Sequence, residues 1–326
     1  MIKRITLFTV IMMVMVYGLF AEKSLERLGN EAEVAADKLF SAEKRAEAAE
    51  QYNEALAKFK AANEKDGIPV QDKIDRILDK LFKAYYFSKT YTKAIEILQR
   101  QLKSDPGNTK KARTIAQIYE KNLKDLDSAI NTLVSFNETK KSYVVQKKIA
   151  SYYTDKKDYE NALTWYKNAY KIKQDSKVIK NIAVILNKYL GRNEEAIKAY
   201  EEYVQTNPPQ SAIISTYKNM GALYEDMNNH SKANYYFEKV LELKYDSNIN
   251  LKLIGNYFSN DLNNKCLEKI EQLLNNKSGN IDAIYYRALI RYNQGDKIKA
   301  KEDFQKLLGS KYDKEADGYI ESIDSE

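Results

Sequence analysis

The sequence of 326 residues predicts an all-α protein, a right-handed α-solenoid of about eight helical hairpins closed by a C-terminal capping helix. The first observation is a repeat of roughly 34 residues, a period typical of stacked helical hairpins. The second is a low content of turn residues, 11 glycines and 4 prolines, which disfavours a turn-rich β protein. The third is a composition with 30% charged and 44% hydrophobic residues, which suits amphipathic helices.

The repeat is carried by a small residue that recurs at steps of 39, 35, 33, 34, 37, 33 and 34 positions. These anchors are Ala55, Ala94, Ala129, Ala162, Ala196, Ala233, Cys266 and Ala300. Four positions after each anchor stands a large side chain: Phe59, Leu98, Leu133, Tyr166, Tyr200, Phe237, Ile270 and Phe304. This spacing places each pair on one helix face, which we expect to be buried against the preceding helix.

The helix before each anchor also repeats. Residues 115–119 read Ile-Ala-Gln-Ile-Tyr and residues 220–224 read Met-Gly-Ala-Leu-Tyr, so a small residue follows a large apolar one and precedes an aromatic. The pattern resembles the tetratricopeptide repeat family over about residues 36–314, most clearly over 214–247. The resemblance implies a protein-binding scaffold.

Some segments depart from the regular pattern. Residues 122–127 and 187–192 each contain about one extra residue between the helices of a hairpin. Residues 31–64 lack a clear turn and fit either a repeat hairpin or one long helix. Residues 312–323 predict an amphipathic capping helix with Ala316 and Tyr319 on its apolar side.

The amino terminus has the pattern of a secretory signal peptide. Lys3 and Arg4 precede 17 uncharged residues, 5–21, and Glu22 begins a charged segment. Ala21 supplies the small residue expected before the cleavage site. We therefore expect an exported protein, periplasmic or associated with the cell envelope of a bacterium. The alternative is an uncleaved anchor, because 17 residues lie at the lower limit for spanning a bilayer.

These patterns divide the chain into a signal peptide (1–21), a helical lead-in (22–35), the repeat solenoid (36–314) and a capping helix with a tail (315–326). No stretch of the sequence is left over for a separate catalytic domain. We therefore expect a chain that is built from repeats and their caps.

The residues that carry chemistry are sparse. Cys266 is the single cysteine, which excludes an intramolecular disulfide, and its anchor position predicts a small buried residue. His230, the single histidine, stands in a predicted turn and is expected to be solvated. Without a second histidine or cysteine there is no zinc pattern, and no phosphate-binding glycine loop or nucleophile motif is present. We expect no enzyme activity, no cofactor and no metal.

The net charge is modest. It is +7 for the whole chain and +5 without Lys3 and Arg4. No block of consecutive basic residues is present, so we expect no nucleic-acid partner.

A candidate partner site comes from one repeat position. Family resemblance implies that the first helix of each hairpin lines the concave groove. Three positions before its small residue, four successive hairpins carry Arg113, Lys147, Lys180 and Lys218, with hydrogen-bonding neighbours Gln117, Ser151, Asn181 and Asn219. Such a row could bind an acidic segment or a free carboxylate, and the alternative is a set of ordinary solvated lysines. The clamp of the family's chaperone-tail binders is absent, because Val184, Ile249 and Leu253 replace its polar residues.

The sequence thus favours an exported scaffold that binds an envelope or surface protein, or a peptide from one, in its groove. The first alternative is a structural subunit of a cell-envelope assembly that self-associates through residues 22–64. A polysaccharide binder is the second alternative, and contact with a membrane is expected only through an uncleaved leader.

Overall fold

In a computed structural model, which describes residues 25–66 and 68–325, every regular element is a helix. The predicted all-α solenoid class is confirmed. The chain divides into two compact units, Met1–Lys173 and Gln174–Glu326, and within each unit consecutive helices pack against one another. The predicted leader, 1–21, lies outside the described residues.

The helices pair into hairpins in the order that the anchors predict. In the described part of the first unit these are α1 (25–41), α2 (Arg45–Asp66), α3 (Gln71–Phe87), α4 (Tyr91–Ser104), α5 (Thr109–Ile118), α6 (Leu126–Thr139), α7 (Tyr143–Asp155) and α8 (Tyr159–Ile172). In the second unit they are α9 (Ser176–Lys188), α10 (Asn193–Gln205), α11 (Gln210–Asp226), α12 (His230–Leu243), α13 (Ser247–Phe258), α14 (Asn263–Asn276), α15 (Ile281–Asn293), α16 (Lys297–Gln305) and the cap α17 (Asp313–Asp324).

The anchors form the core of each hairpin. All eight lie in second helices and are 0% exposed, and the large side chains four positions later are buried as well. A helix brings residues four apart onto one face, so the anchor and its large neighbour both meet the first helix. In every hairpin, the repeat pattern therefore marks residues that are buried.

The first hairpin settles the question that residues 31–64 left open. Residues 42–44 interrupt the helix, and Glu43 has a positive φ of 62°, so the single long helix is excluded. Ala36 of α1 shares a buried cluster with Tyr52 and Phe59 of α2. Residues 25–66 are thus a packed hairpin.

An ion network joins α1 to α3. The guanidinium of Arg76 donates to both carboxylate oxygens of Glu33 at 2.9 and 2.8 Å, and Lys80 donates to Glu33 at 2.8 Å and to Asp37 at 2.7 Å. The hydrogen bond from Arg76 is the main reason that the pKa of Glu33 falls to about 2, against the opposing effect of burial. The first hairpin is therefore held to the second by charge as well as by apolar packing.

The two longer turns differ from the regular ones in their hydrogen bonds. In a regular hairpin the N–H that begins the second helix bonds the carbonyl five residues back, as Asp158 bonds Tyr153. The N–H of Asp125 instead reaches Tyr119, six residues back, as that of Arg192 reaches Leu186. In the first case the extra residue produces a π-helical turn, Tyr119–Leu123, and Lys124 follows with a φ of 57°. The extra residues predicted from the spacing are confirmed.

The cap closes the second unit through aromatic contacts. Tyr319 of α17 stacks on Phe304 with ring centres 4.7 Å apart, and Ala316 is fully buried. Tyr312, just before the helix, stacks on Tyr285 at 4.0 Å and donates to Asp282 at 2.7 Å. The predicted apolar side of the capping helix is therefore the side that packs against the last hairpin.

Candidate functional site

Four of the predicted site residues lie on first helices of the first unit. Arg113 of α5 is half-buried and makes no ion pair within residues 25–66 and 68–325, and Gln117 is exposed. Lys147 of α7 donates to the Tyr143 hydroxyl at 3.0 Å and lies 4.9 Å from the centre of that ring. Ser151 is half-buried one turn further along α7.

The other four lie on first helices of the second unit. Lys180 and Asn181 of α9 are exposed, and the Lys180 amine is 5.8 Å from the centre of the Tyr203 ring. Lys218 of α11 is paired with Asp246, at 2.5 Å, so its charge is already partly neutralised. This pairing lowers the pKa of the Asp246 carboxyl, and the Lys218 hydrogen bond is the largest cause. Asn219 donates to the Tyr200 hydroxyl at 3.4 Å.

A common burial pattern surrounds the four basic residues. Each stays partly or fully accessible, while residues on both sides of it in the helix are buried. Ala112 and Ile115 are buried around Arg113, for example, and Ile179 and Ile182 are buried around Lys180. The basic position therefore belongs to the helix face that the hairpin leaves uncovered.

The structure also shows a groove in the first unit that the sequence analysis did not single out. It runs between the first helices α3 and α5, and one of its residues is the predicted Gln117. The full lining is Phe82, Lys83, Tyr86, Phe87, Thr114, Gln117, Ile118, Lys121 and Asn122. The sequence feature that indicates this groove is the run Tyr85-Tyr86-Phe87. Three consecutive residues of a helix cannot all lie on one buried face, so at least one of these aromatic side chains is left accessible.

The aromatic side of this groove is continuous. The Phe82 and Tyr86 rings are 5.9 Å apart, and Phe87 meets Tyr86 edge-on at 5.6 Å. Beneath them, Phe82 and Tyr86 pack on a buried cluster that includes Ile95 and Ile118. The groove thus has an apolar floor that packs on the core, and Phe87 is 58% exposed at its edge.

The π-helical turn Tyr119–Leu123 bounds the groove at one end. Lys121 and Asn122, both from this turn, belong to the groove lining. The residue inserted in this hairpin therefore changes the backbone at the edge of the groove. Single π-helical turns of this kind are frequent at functional sites.

The two residues with intrinsic reactivity occupy structural or solvated positions. Cys266 is fully buried, its thiol donates to the Ile254 carbonyl at 3.4 Å, and burial raises its pKa to about 12. The predicted small buried residue is confirmed. His230 is exposed as the first residue of α12.

Within residues 25–66 and 68–325, no group of three or more His, Cys, Asp or Glu side chains is placed to hold a metal ion. Among the described helices, none combines the length and the apolar character needed to cross a bilayer.

Family models described as Tetratricopeptide repeat match residues 148–176, 181–210 and 282–310. These segments cover most of the hairpins α7–α8, α9–α10 and α15–α16. The matches therefore fall on the same units that the anchor spacing defines.

A human protein, Protein O-mannosyl-transferase TMTC1, is 26% identical over 179 residues, which are 53% of this chain. The match spans only 20% of that protein's length. The expectation that the present chain has no enzyme activity stays a prediction.

Several solved structures are similar to this chain at low sequence identity. A structure of Naa15/Naa10 bound to HypK-THB has a TM-score of 0.52 at 14% identity and covers 88% of this chain and 43% of that one. A tetratricopeptide repeat protein from Parabacteroides merdae has a TM-score of 0.39 at 17% identity, covering 76% of this chain and 97% of that one. YrrB, a TPR protein with an unusual peptide-binding site, has a TM-score of 0.42 at 14% identity, covering 58% of this chain and 97% of that one.

Proposed function

We propose that this chain, which belongs to the tetratricopeptide repeat proteins, is a scaffold that holds another protein on the first helices of its hairpins. The observation that carries the proposal is the uncovered face of α5, α7, α9 and α11. In the first unit, α5 and α7 keep Arg113 and Lys147 accessible between buried positions of the helix. In the second unit, α9 and α11 do the same for Lys180 and Lys218. A repeated surface of this kind is what repeat proteins use for binding.

Within each unit, the charge of the uncovered helix face favours an acidic segment or a free carboxylate as the partner group. Arg113 and Lys180 are the strongest contributors, because neither has an ion pair among the described residues. Lys218 contributes less, since Asp246 already accepts its hydrogen bond. At this repeat position, each unit therefore offers at least one basic residue that can pair with a partner without first breaking an ion pair.

Photo-crosslinking in the native cell tests the scaffold proposal. A photoreactive amino acid is placed at Gln117 or Asn181, which are exposed on first helices, and at the control positions Lys171 and Lys198, which are exposed on second helices. We expect one dominant protein at Gln117 or Asn181 and no comparable product at the controls. Equal capture at all four positions would overturn the proposal.

The captured partner then permits a charge test. Arg113→Glu and Lys180→Glu are each expected to weaken its binding about threefold and to reduce the salt dependence. The matched controls Lys171→Glu and Lys198→Glu change the net charge equally and are expected to leave the affinity unchanged. If the controls weaken binding as much, the effect belongs to net charge and not to the first helices.

Export is part of the proposal, since the pattern of residues 1–21 is that of a signal peptide. The partner would then be an envelope or surface protein of a bacterium. Mass spectrometry of the native protein is expected to find Glu22 at the amino terminus. A chain that still begins at Met1 would contradict cleavage and would favour a retained anchor.

A further inference from the structure

The groove between α3 and α5 leaves a large aromatic side chain, Phe87, accessible to solvent. Phe87 is 58% exposed, although its ring contacts that of Tyr86 and its ring centre lies 6.2 Å from the ring centre of Phe40. Covering the exposed part of such a side chain favours a complex, because it removes apolar surface from water. Aromatic residues that are fixed by their neighbours are also common among the residues that dominate binding.

The charged residues of the groove have one sign. Lys83 on α3 and Lys121 on the π-helical turn are both exposed, neither forms an ion pair in the described residues, and no acidic side chain lines the groove. The cleft that α2, α3 and α4 share in the same unit differs, because its lining mixes basic residues such as Arg100 with acidic ones such as Asp75 and Asp79. The aromatic groove therefore selects for negative charge, and the mixed cleft does not.

Hydrogen-bonding groups complete the lining. Thr114, Gln117 and Asn122 lie along the α5 side, opposite the aromatic rings of α3. Gln117 and Asn122 can each donate and accept, so they can bind the polar backbone of an entering chain. One side of the groove thus supplies apolar contact, and the other supplies hydrogen bonds.

We infer that this groove docks a short protein segment in which a bulky apolar residue is flanked by Asp or Glu. The apolar residue packs on Phe82, Tyr86 and Phe87, and the acidic residues pair with Lys83 and Lys121. The inference rests on the proposed scaffold function and adds the chemistry of the partner. The chain's own leader is a poor occupant, because its charges, Lys3 and Arg4, have the same sign as the groove.

A selection from a display library of random short peptides, carried out on the purified protein, tests the inference. We expect the selected peptides to share an aromatic or large aliphatic residue with Asp or Glu close to it on either side. A synthetic peptide of that consensus, with a fluorescent label, then gives affinities by anisotropy. Selected peptides without acidic residues, or without the apolar residue, would overturn the inference.

Variants locate the binding site. Phe87→Ala is expected to weaken binding of the selected peptide about tenfold. Lys83→Glu with Lys121→Glu is expected to weaken it by a similar factor and to flatten its salt dependence. Tyr235→Ala is the matched control, because Tyr235 is also an exposed aromatic residue, 56% exposed, but lies on α12 of the other unit. Equal losses in Phe87→Ala and Tyr235→Ala, or none in either, would contradict the assignment.

Two outcomes separate this inference from the scaffold proposal. If crosslinking captures a partner at Gln117 or Asn181 but Phe87→Ala does not affect peptide binding, the scaffold stands and the groove assignment fails. Sedimentation analysis of the wild-type protein and of Phe87→Ala tests a second copy as the occupant. A dimer that Phe87→Ala converts to a monomer would overturn the inference and would favour self-association.

Discussion

Replacing Asp303 with alanine is expected to lower the free energy of unfolding of the last hairpin by about 3–5 kcal/mol, the range for breaking a buried ion pair. The Asp303 side chain is 0% exposed. Arg287 donates to both of its oxygens at 2.8 and 2.9 Å, and Arg291 donates at 2.6 Å. The substitution leaves two partly buried guanidinium groups without this partner. Urea unfolding, together with hydrogen exchange over α15–α17, measures the loss.

The neighbouring residue provides the control. Glu302 is exposed on the same helix, so Glu302→Ala removes an identical charge and is expected to change stability by less than about 0.5 kcal/mol. Similar losses for both variants would show that the buried network contributes nothing beyond the general charge of the helix.

The Asp303 carboxylate is also expected to make the free energy of unfolding depend on pH. Burial raises the pKa of Asp303, but the hydrogen bonds from Arg287 and Lys306 and the positive charges around it outweigh burial, so the pKa lies below its ordinary value of 3.8. A carboxyl group with a lowered folded pKa stabilises the fold fully above its unfolded pKa. We expect this contribution to decline as the pH falls below about 4 and to be lost once the pH has passed the folded pKa. In Asp303→Asn the part of the acid sensitivity that belongs to this residue is expected to disappear.

Gly221→Ala is expected to destabilise the hairpin α11–α12 by about 1–3 kcal/mol, as overpacking in a core does. A Cβ at Gly221 would lie 2.4 and 2.6 Å from two ring atoms of Phe237, which is almost fully buried. Alanine favours a helix over glycine by about 1 kcal/mol, so the measured loss is what remains of the steric cost after this gain. Thermal or urea unfolding of the variant gives the difference.

Gly255 is the equivalent residue of the next hairpin and serves as the control. A Cβ there would meet only the Tyr286 hydroxyl, at 3.5 Å, which is an ordinary contact. Gly255→Ala is therefore expected to leave stability unchanged or to raise it by up to about 1 kcal/mol. Destabilisation by both variants to the same extent would mean that the contact with Phe237 is not the cause.

The repeat pattern identified Gly221 and Gly255 as small residues of first helices but did not identify the side chains that they contact. In the sequence, the small residue Gly221 is followed three positions later by the aromatic Tyr224 of the same helix. In the structure, the side chain nearest to a Cβ at Gly221 is instead Phe237, four residues after the anchor Ala233. Gly221 and Gly255 look equivalent in the sequence, because the difference lies in a side chain of another helix.

The candidate site was predictable in part. The repeat position placed Arg113 and Lys180 on the uncovered helix face, since a residue's position in a helix decides which side it occupies. The sequence did not show that Lys218 is paired with Asp246, because Asp246 lies 28 positions away, just before the start of α13. The aromatic groove was missed for the same reason, as its two sides come from α3 and α5.

The sequence by itself determined the all-α class, the order of the hairpins, the buried anchors and the positions of the extra residues. These features depend on spacing along one helix or one turn, which is a local property of the chain. Only the tertiary structure decided the break at residues 42–44, the link from Glu33 to Arg76, and the groove beside Phe87. Contacts of this kind depend on which side chains of different helices come within reach of one another, and periodicity does not encode that distance.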